Sequence, residues 1–478
     1  MSPFTHTDRL AARRAFLTRS ALGLGSVAFA GLSPSLQVAA SPTALSYPGL
    51  DDLPHFAPRA KRVIFLCMAG GPSHLETFDY KEQLEKRHGE TMPKSITQGQ
   101  PIAQLQGQEL KCQRPLTRFR KYGQSGQQIS DFLPFTARLA DKICIVRSMV
   151  TEQINHDPAH TFMNTGSAIS GRPSMGSWIN YGLGSESENL PGFVVMTSVG
   201  GRSPQPIASR QWSAGFLPSR FQGVEFHAAG DPVHYVGNPQ GISRSAQRNL
   251  IDTVRGLNRH RNDLLQDPEI DARLAAYEMA FQMQLSVPEL MDLSDETADT
   301  LEMYGAVPGD GSFASNCLLA RRLAERGVRF IHLYHRGWDH HGGLEKYMDI
   351  CCGLTDRPAW ALVTDLQRGL LEETLVVWGG EFGRTPMFQG KGSVGRDHHI
   401  KGFSIWMAGG GIKPGITHGA TDAFGYHAEQ DVVHVRDLHA TILHLLGIDH
   451  MRFSVPYQGL DMRLTGVEPA RAVLPILA

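Results

Sequence analysis

Uninterrupted apolar runs along the chain predict a sheet that is buried on both faces. Five of them lie at 62–68, 143–146, 328–334, 375–378 and 403–408. Such runs lack the polar alternation of a half-exposed strand, and they are typical of parallel strands that helices cover on both sides. The pattern therefore predicts an α/β fold with a mainly parallel sheet and helices on both faces.

Helical spacing of apolar residues fills the intervals between these runs. It predicts helices over 313–326, 360–371 and 437–446, with Gly447 placed as the C-terminal stop of the last one. The region 243–302 has the same periodicity and predicts a helical insertion that covers the sheet or the site.

Charge and histidine content narrow the function classes. The chain has 478 residues, with Lys+Arg 46 against Asp+Glu 47, so it lacks the basic face of a nucleic-acid-binding protein. No nucleic-acid partner is expected. The 21 histidines are less ordinary, because many of them are grouped with aspartates. Metal binding is the first explanation for such groups.

The first forty residues have the pattern of an export signal. Arg13-Arg14 precede an apolar run at 21–32 that is too short to span a bilayer, and small residues follow at 38–40. The pattern predicts a twin-arginine signal peptide over 1–40, a periplasmic or secreted protein, and no stable membrane anchor after the signal is removed. The alternative is a basic amphipathic helix that stays on the protein.

Candidate chemistry is concentrated in the stretch 374–411. Its two apolar runs enclose glycines and a set of polar residues: Glu381, Arg384, Asp397, His398 and His399. Glycine permits sharp turns and a close approach of the backbone to a ligand. Because open α/β sheets place their sites at the carboxyl ends of strands, this stretch predicts a site and not a connector.

A second candidate lies where a helix is predicted from Pro158 onward. His156 and Asp157 stand at its mouth, and His160 lies in its first turn. The free N–H groups of a helix start favour an anion. Asp157 as a simple N-cap explains the same pattern equally well.

Five motifs in order carry a family resemblance. They are MAGGPSHLETFD (68–79), NHDPAHTFMNTG (155–166), GWDHHGG (337–343), GGEFGRTP (379–386) and GRDHH (395–399). Together with the export signal, they resemble the DUF1501 family of exported proteins, which looks like a branch of the alkaline phosphatase and sulfatase superfamily. The resemblance spans about residues 60–465 and implies one alkaline phosphatase-like α/β domain there.

The resemblance also implies a metal site at the carboxyl ends of the sheet. The superfamily holds two metal ions, often zinc, or a single calcium in sulfatases, between Asp and His side chains. On this chain it implies Asp339, His341 and His398 as the core ligands. Glu381 and Asp397 are further ligands or residues that position the ligands. The oxygen and nitrogen donors suit zinc, calcium or manganese better than a metal that prefers sulfur.

Three departures from the superfamily pattern bear on the chemistry. Aligning Thr165-Gly166 with the end of the sulfatase motif puts His156 at the nucleophile position and His160 at the position of an arginine. The first strand ends in Ala69-Gly70-Gly71 where the superfamily usually has a metal-binding Asp, and Phe382 lies where a His ligand is usual. These departures leave open whether one metal or two are bound.

Two classes of function follow. The first is a metal-dependent hydrolase of phosphate or sulfate esters, with His156 as a phosphoacceptor or general acid, His160 beside it, and Arg384 as an anion clamp. Its substrate would be a small anionic ester or a sulfated or phosphorylated glycan. The second class is a non-catalytic exported protein that binds an anionic glycan or a partner protein.

Overall fold

A computed structural model of the chain describes residues 47–201, 205, 207–234, 237, 241–265, 268–390 and 392–478. The predicted signal peptide lies outside them. By its internal contacts the chain divides into a smaller unit, Met1–Ala44 with Pro239–Gln266, and a larger one, Leu45–Asn238 with Asp267–Ala478. Of the smaller unit, the structure describes 241–265, which contain one helix.

The strands and α-helices of the described residues span the following ranges. The strands are β1 (Arg62–Ala69), β2 (Phe119–Tyr122), β3 (Gln127–Ser130), β4 (Cys144–Val150), β5 (Phe193–Val199), β6 (Val224–Phe226), β7 (Phe330–Arg336), β8 (Thr374–Gly379), β9 (Gly383–Arg384), β10 (His398–His399), β11 (Phe403–Ala408), β12 (Ile416–His418), β13 (Ala420–Thr421), β14 (Ala428–Gln430), β15 (Val433–His434), β16 (Val455–Tyr457) and β17 (Leu460–Met462). The helices are α1 (His74–Thr77), α2 (Glu82–Lys86), α3 (Lys94–Thr97), α4 (His156–Thr165), α5 (Met175–Leu183), α6 (Arg244–Leu265), α7 (Pro268–Met291), α8 (Ala298–Tyr304), α9 (Phe313–Glu325), α10 (Leu344–Leu366) and α11 (Val435–Leu445).

One nine-stranded sheet forms the core of the larger unit. Its order is β12-β4-β11-β8-β1-β7-β5-β6, and β15 pairs with β4 as well. β1 is parallel to both β7 and β8, and β5 is parallel to β7 and β6. β11 alone among the nine runs against its neighbours, β4 and β8. All five apolar runs therefore lie in one mainly parallel sheet, which confirms the predicted fold class.

Helices cover both faces of this sheet. Along β1, Ile64 and Leu66 point into one apolar cluster, which contains buried residues of α7, α9 and α10. Val63 and Phe65 point into a second cluster, which contains buried residues of α4, α5 and α11. Because each strand is apolar on both sides, it buries both sets of side chains, as the uninterrupted runs predict.

The predicted helices are present with shifted ends. The helices predicted at 313–326 and 437–446 correspond to α9 and α11, and Gly447 follows α11 with φ +80°. The helix predicted at 360–371 begins earlier, at Leu344, and ends at Leu366. α10 runs through Pro358, although a proline ring disfavours helical backbone in the residue before it, and burial of this helix in the core supports it there.

The region 243–302 forms α6, α7 and α8. Within the larger unit, Val287 and Leu290 of α7 are buried in the first apolar cluster, so this helix covers the sheet. Among the described residues, none of the helices combines the length and the apolar character that crossing a bilayer requires.

Candidate metal centre

The strand order brings the polar motifs to one edge of the sheet. β1, β7 and β8 are adjacent and parallel, so their carboxyl ends meet. Gly70 follows β1, Asp339 and His341 follow β7, and Glu381 follows β8. β4 points the same way, and the chain beyond it enters α4 at His156. β10 adds His398 through its pairing with β9.

Glu381, which follows β8 at the carboxyl end of the sheet, is fully buried. Its carboxylate accepts hydrogen bonds from the backbone N–H groups of Gly70 (3.1 Å) and Gly71 (3.2 Å). The Nδ1–H of His156 donates to its Oε1 at 2.6 Å. Burial alone would raise the pKa of Glu381, but His160 and His156 hold that pKa at about 2. Glu381 is therefore a carboxylate at neutral pH.

Two glycines make this contact possible. Gly70 has φ +123°, and a Cβ there would lie 2.5 Å from the backbone nitrogen of Asp339. Gly71 has φ +70°, and its Cβ would lie 2.6 Å from the ring of Phe382. The loop after β7 therefore packs directly on Gly70 and the loop after β8 on Gly71, and side chains at these two positions would prevent both contacts.

Replacing Gly70 by alanine is expected to push the Asp339 loop away and to lower both metal content and stability. The positive φ alone costs about 1–2 kcal/mol, and the clash adds to it. Elemental analysis and thermal unfolding of Gly70→Ala would measure the two effects. Gly89→Ala is the matched control, because Gly89 has φ +82° and no atom within 4 Å of its Cβ position. Equal metal content and equal unfolding temperature in the two variants would contradict the expectation.

Asp339 is the point on which the other side chains converge. Its Oδ1 lies close to four nitrogen atoms: Arg384 Nη2 (2.7 Å), His341 Nε2 (2.8 Å), His156 Nε2 (3.3 Å) and His398 Nε2 (3.3 Å). The side chain of Asp339 is 23% exposed, so solvent still reaches the group. Burial opposes ionisation, but Arg384 and the three imidazoles hold the pKa of Asp339 far below its usual range.

In each of the three histidines, Nε2 faces Asp339, and the outer nitrogen, Nδ1, has an acceptor of its own. The Nδ1–H of His156 donates to Glu381 (2.6 Å), that of His341 to Gln389 Oε1 (2.6 Å), and that of His398 to the carbonyl oxygen of Ile154 (2.8 Å). These bonds fix the tautomer, so that all three Nε2 lone pairs are turned towards Asp339. Metal-binding histidines in proteins are oriented in this way.

The Nε2 atoms that face Asp339 lie close enough together to share one cation. His341 Nε2 and His398 Nε2 are 3.0 Å apart, and His156 Nε2 is buried without a hydrogen-bond partner. Lone pairs at such a distance repel each other unless a proton or a metal ion lies between them. Two ligands of a tetrahedral zinc ion lie about 3.4 Å apart, given zinc–ligand distances of about 2.0–2.1 Å. The spacing and chemistry of the donors therefore fit a metal ion.

Three overlapping sets of donor atoms within 4.8 Å of one another occur among the described residues. They are His156–Asp339–His398, His341–Asp397–His398 and His156–His160–Glu381. The ring of Phe382 packs against His156 (5.0 Å) and His398 (4.7 Å) between ring centroids, so an apolar wall closes one side of the group. We call the convergence of His156, Asp339, His341 and His398 the metal centre.

Comparison with known proteins identifies the family. The chain matches the model of a family described as "Protein of unknown function (DUF1501)" over residues 60–477. The chain belongs to the DUF1501 family. All five motifs lie inside the matched range, and the predicted resemblance is confirmed. A search of curated proteins finds no match.

Solved structures that are similar to this DUF1501 protein share little sequence with it. The lipoteichoic acid synthase LtaP from Listeria monocytogenes is 10% identical, with a TM-score of 0.36 over 88% of this chain and 78% of that one. The PsFucS1 sulfatase from Pseudoalteromonas sp. is 12% identical, with a TM-score of 0.36 over 88% and 72%. A protein in the alkaline phosphatase superfamily from Vibrio parahaemolyticus is 10% identical, with a TM-score of 0.35 over 87% and 72%. The likeness is distant, so the function of this DUF1501 protein has to be inferred from its own donor geometry.

The other predicted site residues surround the centre. Asp397 is fully buried, and its Oδ2 accepts from the backbone N–H groups of Gln104 (2.6 Å) and Leu105 (3.1 Å). Asp397 lies beside His341 and His398. Its bonds to Gln104 and Leu105 connect the two histidines to the loop that contains these residues. His160 is fully buried, with Nε2 3.3 Å from Glu381 Oε1, one helical turn behind His156. Burial lowers the pKa of His160.

Arg384 is 1% exposed and its donors are directed inward. Its Nε donates to the carbonyl oxygen of Gly71 (2.9 Å), its Nη1 to that of Arg396 (3.1 Å), and its Nη2 to Asp339 (2.7 Å). The role of an anion clamp stays a prediction, and these contacts favour a different one, in which Arg384 holds Asp339 in place.

Two residues of the site were missed from the sequence, Gln104 and Gln389. Gln389 accepts the Nδ1–H of His341, and Gln104 Nε2 lies 3.3 Å from His341 Nε2. The segment around Gln104 is rich in glutamine and reads as a surface excursion. Nothing in the local pattern separates Gln104 from Gln106 or Gln108.

Proposed function

We propose that this DUF1501 protein is a metal-dependent hydrolase of phosphate or sulfate esters. The observation that carries the proposal is the convergence of three imidazole Nε2 atoms on the Asp339 carboxylate, with each outer nitrogen already bonded. A metal ion bound there supplies a polarised ester oxygen and a water molecule of lowered pKa. The four side chains of the metal centre would hold it, and the exposed side of Asp339 would admit the substrate.

Zinc is the metal that suits this donor set best. Three of the four donors are imidazole nitrogens, which zinc accepts readily together with a carboxylate oxygen. Burial lowers the pKa of His398 to about 4, so its imidazole is neutral at physiological pH, as a ligand must be. Manganese is the second choice. Calcium is disfavoured because it takes oxygen ligands.

The charges around the metal centre are compatible with an anionic substrate. A divalent ion and the Arg384 guanidinium together balance the three carboxylates of Asp339, Glu381 and Asp397, so the site has no net negative charge that would repel an anion. We propose that the substrate carries a phosphate or sulfate group, on a small ester or on a sulfated or phosphorylated glycan. We also propose that the protein acts outside the cytoplasm, in keeping with the predicted twin-arginine signal.

The contacts of His156 favour a ligand over a nucleophile. Its Nδ1–H is engaged by Glu381, and its Nε2 points at Asp339 with the other two imidazoles. Glu381 thus orients His156 and increases its basicity, as a carboxylate behind a metal-bound histidine does. Phe382, which lies where the superfamily pattern has a histidine ligand, packs its ring on His156 and His398 and offers no donor atom, so we propose a single metal ion.

Elemental analysis of the purified protein and of His398→Ala tests the metal centre. We expect about one zinc ion per chain in the wild type and at least a tenfold lower content in the variant, because one of four ligands is removed. His418→Ala is the control, since this histidine on β12 belongs to none of the donor sets. Equal metal content in wild type and His398→Ala would refute the proposal.

A screen of aryl phosphates and aryl sulfates with the zinc-loaded wild type tests the reaction. Hydrolysis of either class that His398→Ala lacks would support the enzyme. Metal binding without hydrolysis in the screen would favour the alternative, a non-catalytic protein that binds an anionic glycan or a partner protein.

A further inference from the structure

We infer that Gln104 is a catalytic residue at the solvent side of the metal centre, where its side-chain N–H donates to a non-bridging oxygen of the bound phosphate or sulfate group. The inference rests on the proposed function and names a residue that none of the five motifs contains.

The position of Gln104 suits contact with a substrate. Its Nε2 lies 3.3 Å from His341 Nε2, so the amide is at the edge of the metal centre. Its side chain is exposed, whereas Arg384, Glu381 and His398 are buried. A ligand that enters from solvent would meet this amide as it reaches Asp339.

The orientation of the amide is set by a ring of three side chains. Gln389 Nε2 donates to Gln104 Oε1 at 3.0 Å, and Gln389 Oε1 accepts the Nδ1–H of His341 at 2.6 Å. Because the oxygen of Gln104 is taken by Gln389, its NH₂ group faces the centre. The donor is thus directed at the place where negative charge would accumulate.

The backbone of Gln104 is held as firmly as its side chain. Its N–H donates to Asp397 Oδ2 at 2.6 Å, and the same oxygen accepts from Leu105 at 3.1 Å. Leu105 is buried in a small apolar cluster with Met92 and Met387. A donor that is fixed before the substrate binds loses little by reorganisation, which is what makes such groups effective in transition states.

The chemistry of the site calls for a donor of this kind. The guanidinium of Arg384 donates to backbone carbonyls and to Asp339, so a bound ester needs other partners for its oxygen atoms. Once a metal ion takes the Nε2 lone pair of His341, the Gln104 amide loses that acceptor. Its N–H is then free to bond a phosphate or sulfate oxygen, and it needs no proton transfer to do so.

Cobalt-loaded protein provides a test that does not depend on turnover. The visible absorption of Co²⁺ reports both its binding and the binding of inorganic phosphate or sulfate beside it. For Gln104→Ala we expect Co²⁺ affinity within about threefold of wild type and phosphate binding weaker by about tenfold, the loss of one hydrogen bond to a charged group. Gln104→Glu should bind phosphate more weakly still, because it adds a negative charge.

Gln106→Ala is the matched control. Gln106 is exposed in the same loop, and its amide donates to the carbonyl oxygens of Ile102 and Ala103 and not to the site. We expect wild-type binding of both Co²⁺ and phosphate.

The outcomes separate the two proposals. Unchanged phosphate binding in Gln104→Ala would overturn the role of Gln104 and leave the metal centre intact. Loss of Co²⁺ from Gln104→Ala would also overturn it, because the residue would then serve the metal site. A wild type that binds no Co²⁺, or binds Co²⁺ but neither anion, would count against the proposed hydrolase itself and remove the basis of the inference.

Discussion

His156→Ala is expected to lose bound metal and hydrolytic turnover together. The substitution removes one of three imidazole ligands and also leaves the Glu381 carboxylate without its 2.6 Å partner. We expect zinc affinity to fall by more than about 100-fold, since even residues behind metal ligands are worth about 10–100-fold. Competition with a chromophoric chelator would measure the affinity, and hydrolysis of the ester found in the screen would measure the activity.

His160→Ala is the comparison for this variant, and it tests the donor set that His160 forms with His156 and Glu381. It lies one turn further along α4 and contacts the same Glu381 oxygen at 3.3 Å, but it makes no contact with Asp339. We expect it to keep most of the bound zinc. A His156→Ala protein with full zinc content and no turnover would instead support the phosphoacceptor or general-acid hypothesis, and full activity would remove His156 from the mechanism.

Glu76→Ala is expected to destabilise the fold by about 3–5 kcal/mol, because it leaves a buried guanidinium without its counter-ion. Glu76 and Arg396 are both fully buried, and Arg396 donates to Glu76 Oε1 through Nη2 (2.7 Å) and Nε (3.1 Å). This amounts to a large part of the 5–15 kcal/mol by which typical domains are stable. Urea unfolding followed by circular dichroism would measure the loss.

Glu82→Ala serves as the comparison for that experiment. Its ion pair with Lys86 has a similar length, 2.7 Å, but both side chains are more than half exposed. Exposed pairs contribute about 0–1 kcal/mol, so this variant should unfold near the wild-type midpoint. Equal shifts for Glu76→Ala and Glu82→Ala would show that burial of the Glu76–Arg396 pair does not matter.

The strands were predictable because burial on both faces leaves an unbroken apolar run in the sequence. The run at 403–408 was found in this way, but its direction was not, since an apolar segment reads the same in a parallel and an antiparallel strand. α10 begins at Leu344, well before the predicted start at 360, and Pro358, which disfavours helical backbone in the residue before it, is tolerated inside this packed helix.

Only those site residues that lie within the five motifs could be predicted from the sequence. Asp339, His341 and His398 came from the family resemblance, and the structure brings them together. The contact between His156 and Glu381 joins positions 225 residues apart, which no local pattern encodes. The role of Gln389 likewise depends on how the loop after β9 and the loop after β7 meet, as its 48-residue separation from His341 indicates.

The reversed direction of β11 has a consequence for how this chain could diversify. Because β8 and β11 are neighbours that run in opposite directions, residues 380–402 leave and re-enter the sheet at the same edge. A parallel connection would have carried the chain to the opposite edge through a crossover helix. Glu381, Arg384, Gln389, Asp397 and His398 therefore belong to one excursion with both ends anchored. A related protein could replace this whole segment by another one. It would then have different ligand residues on the same sheet.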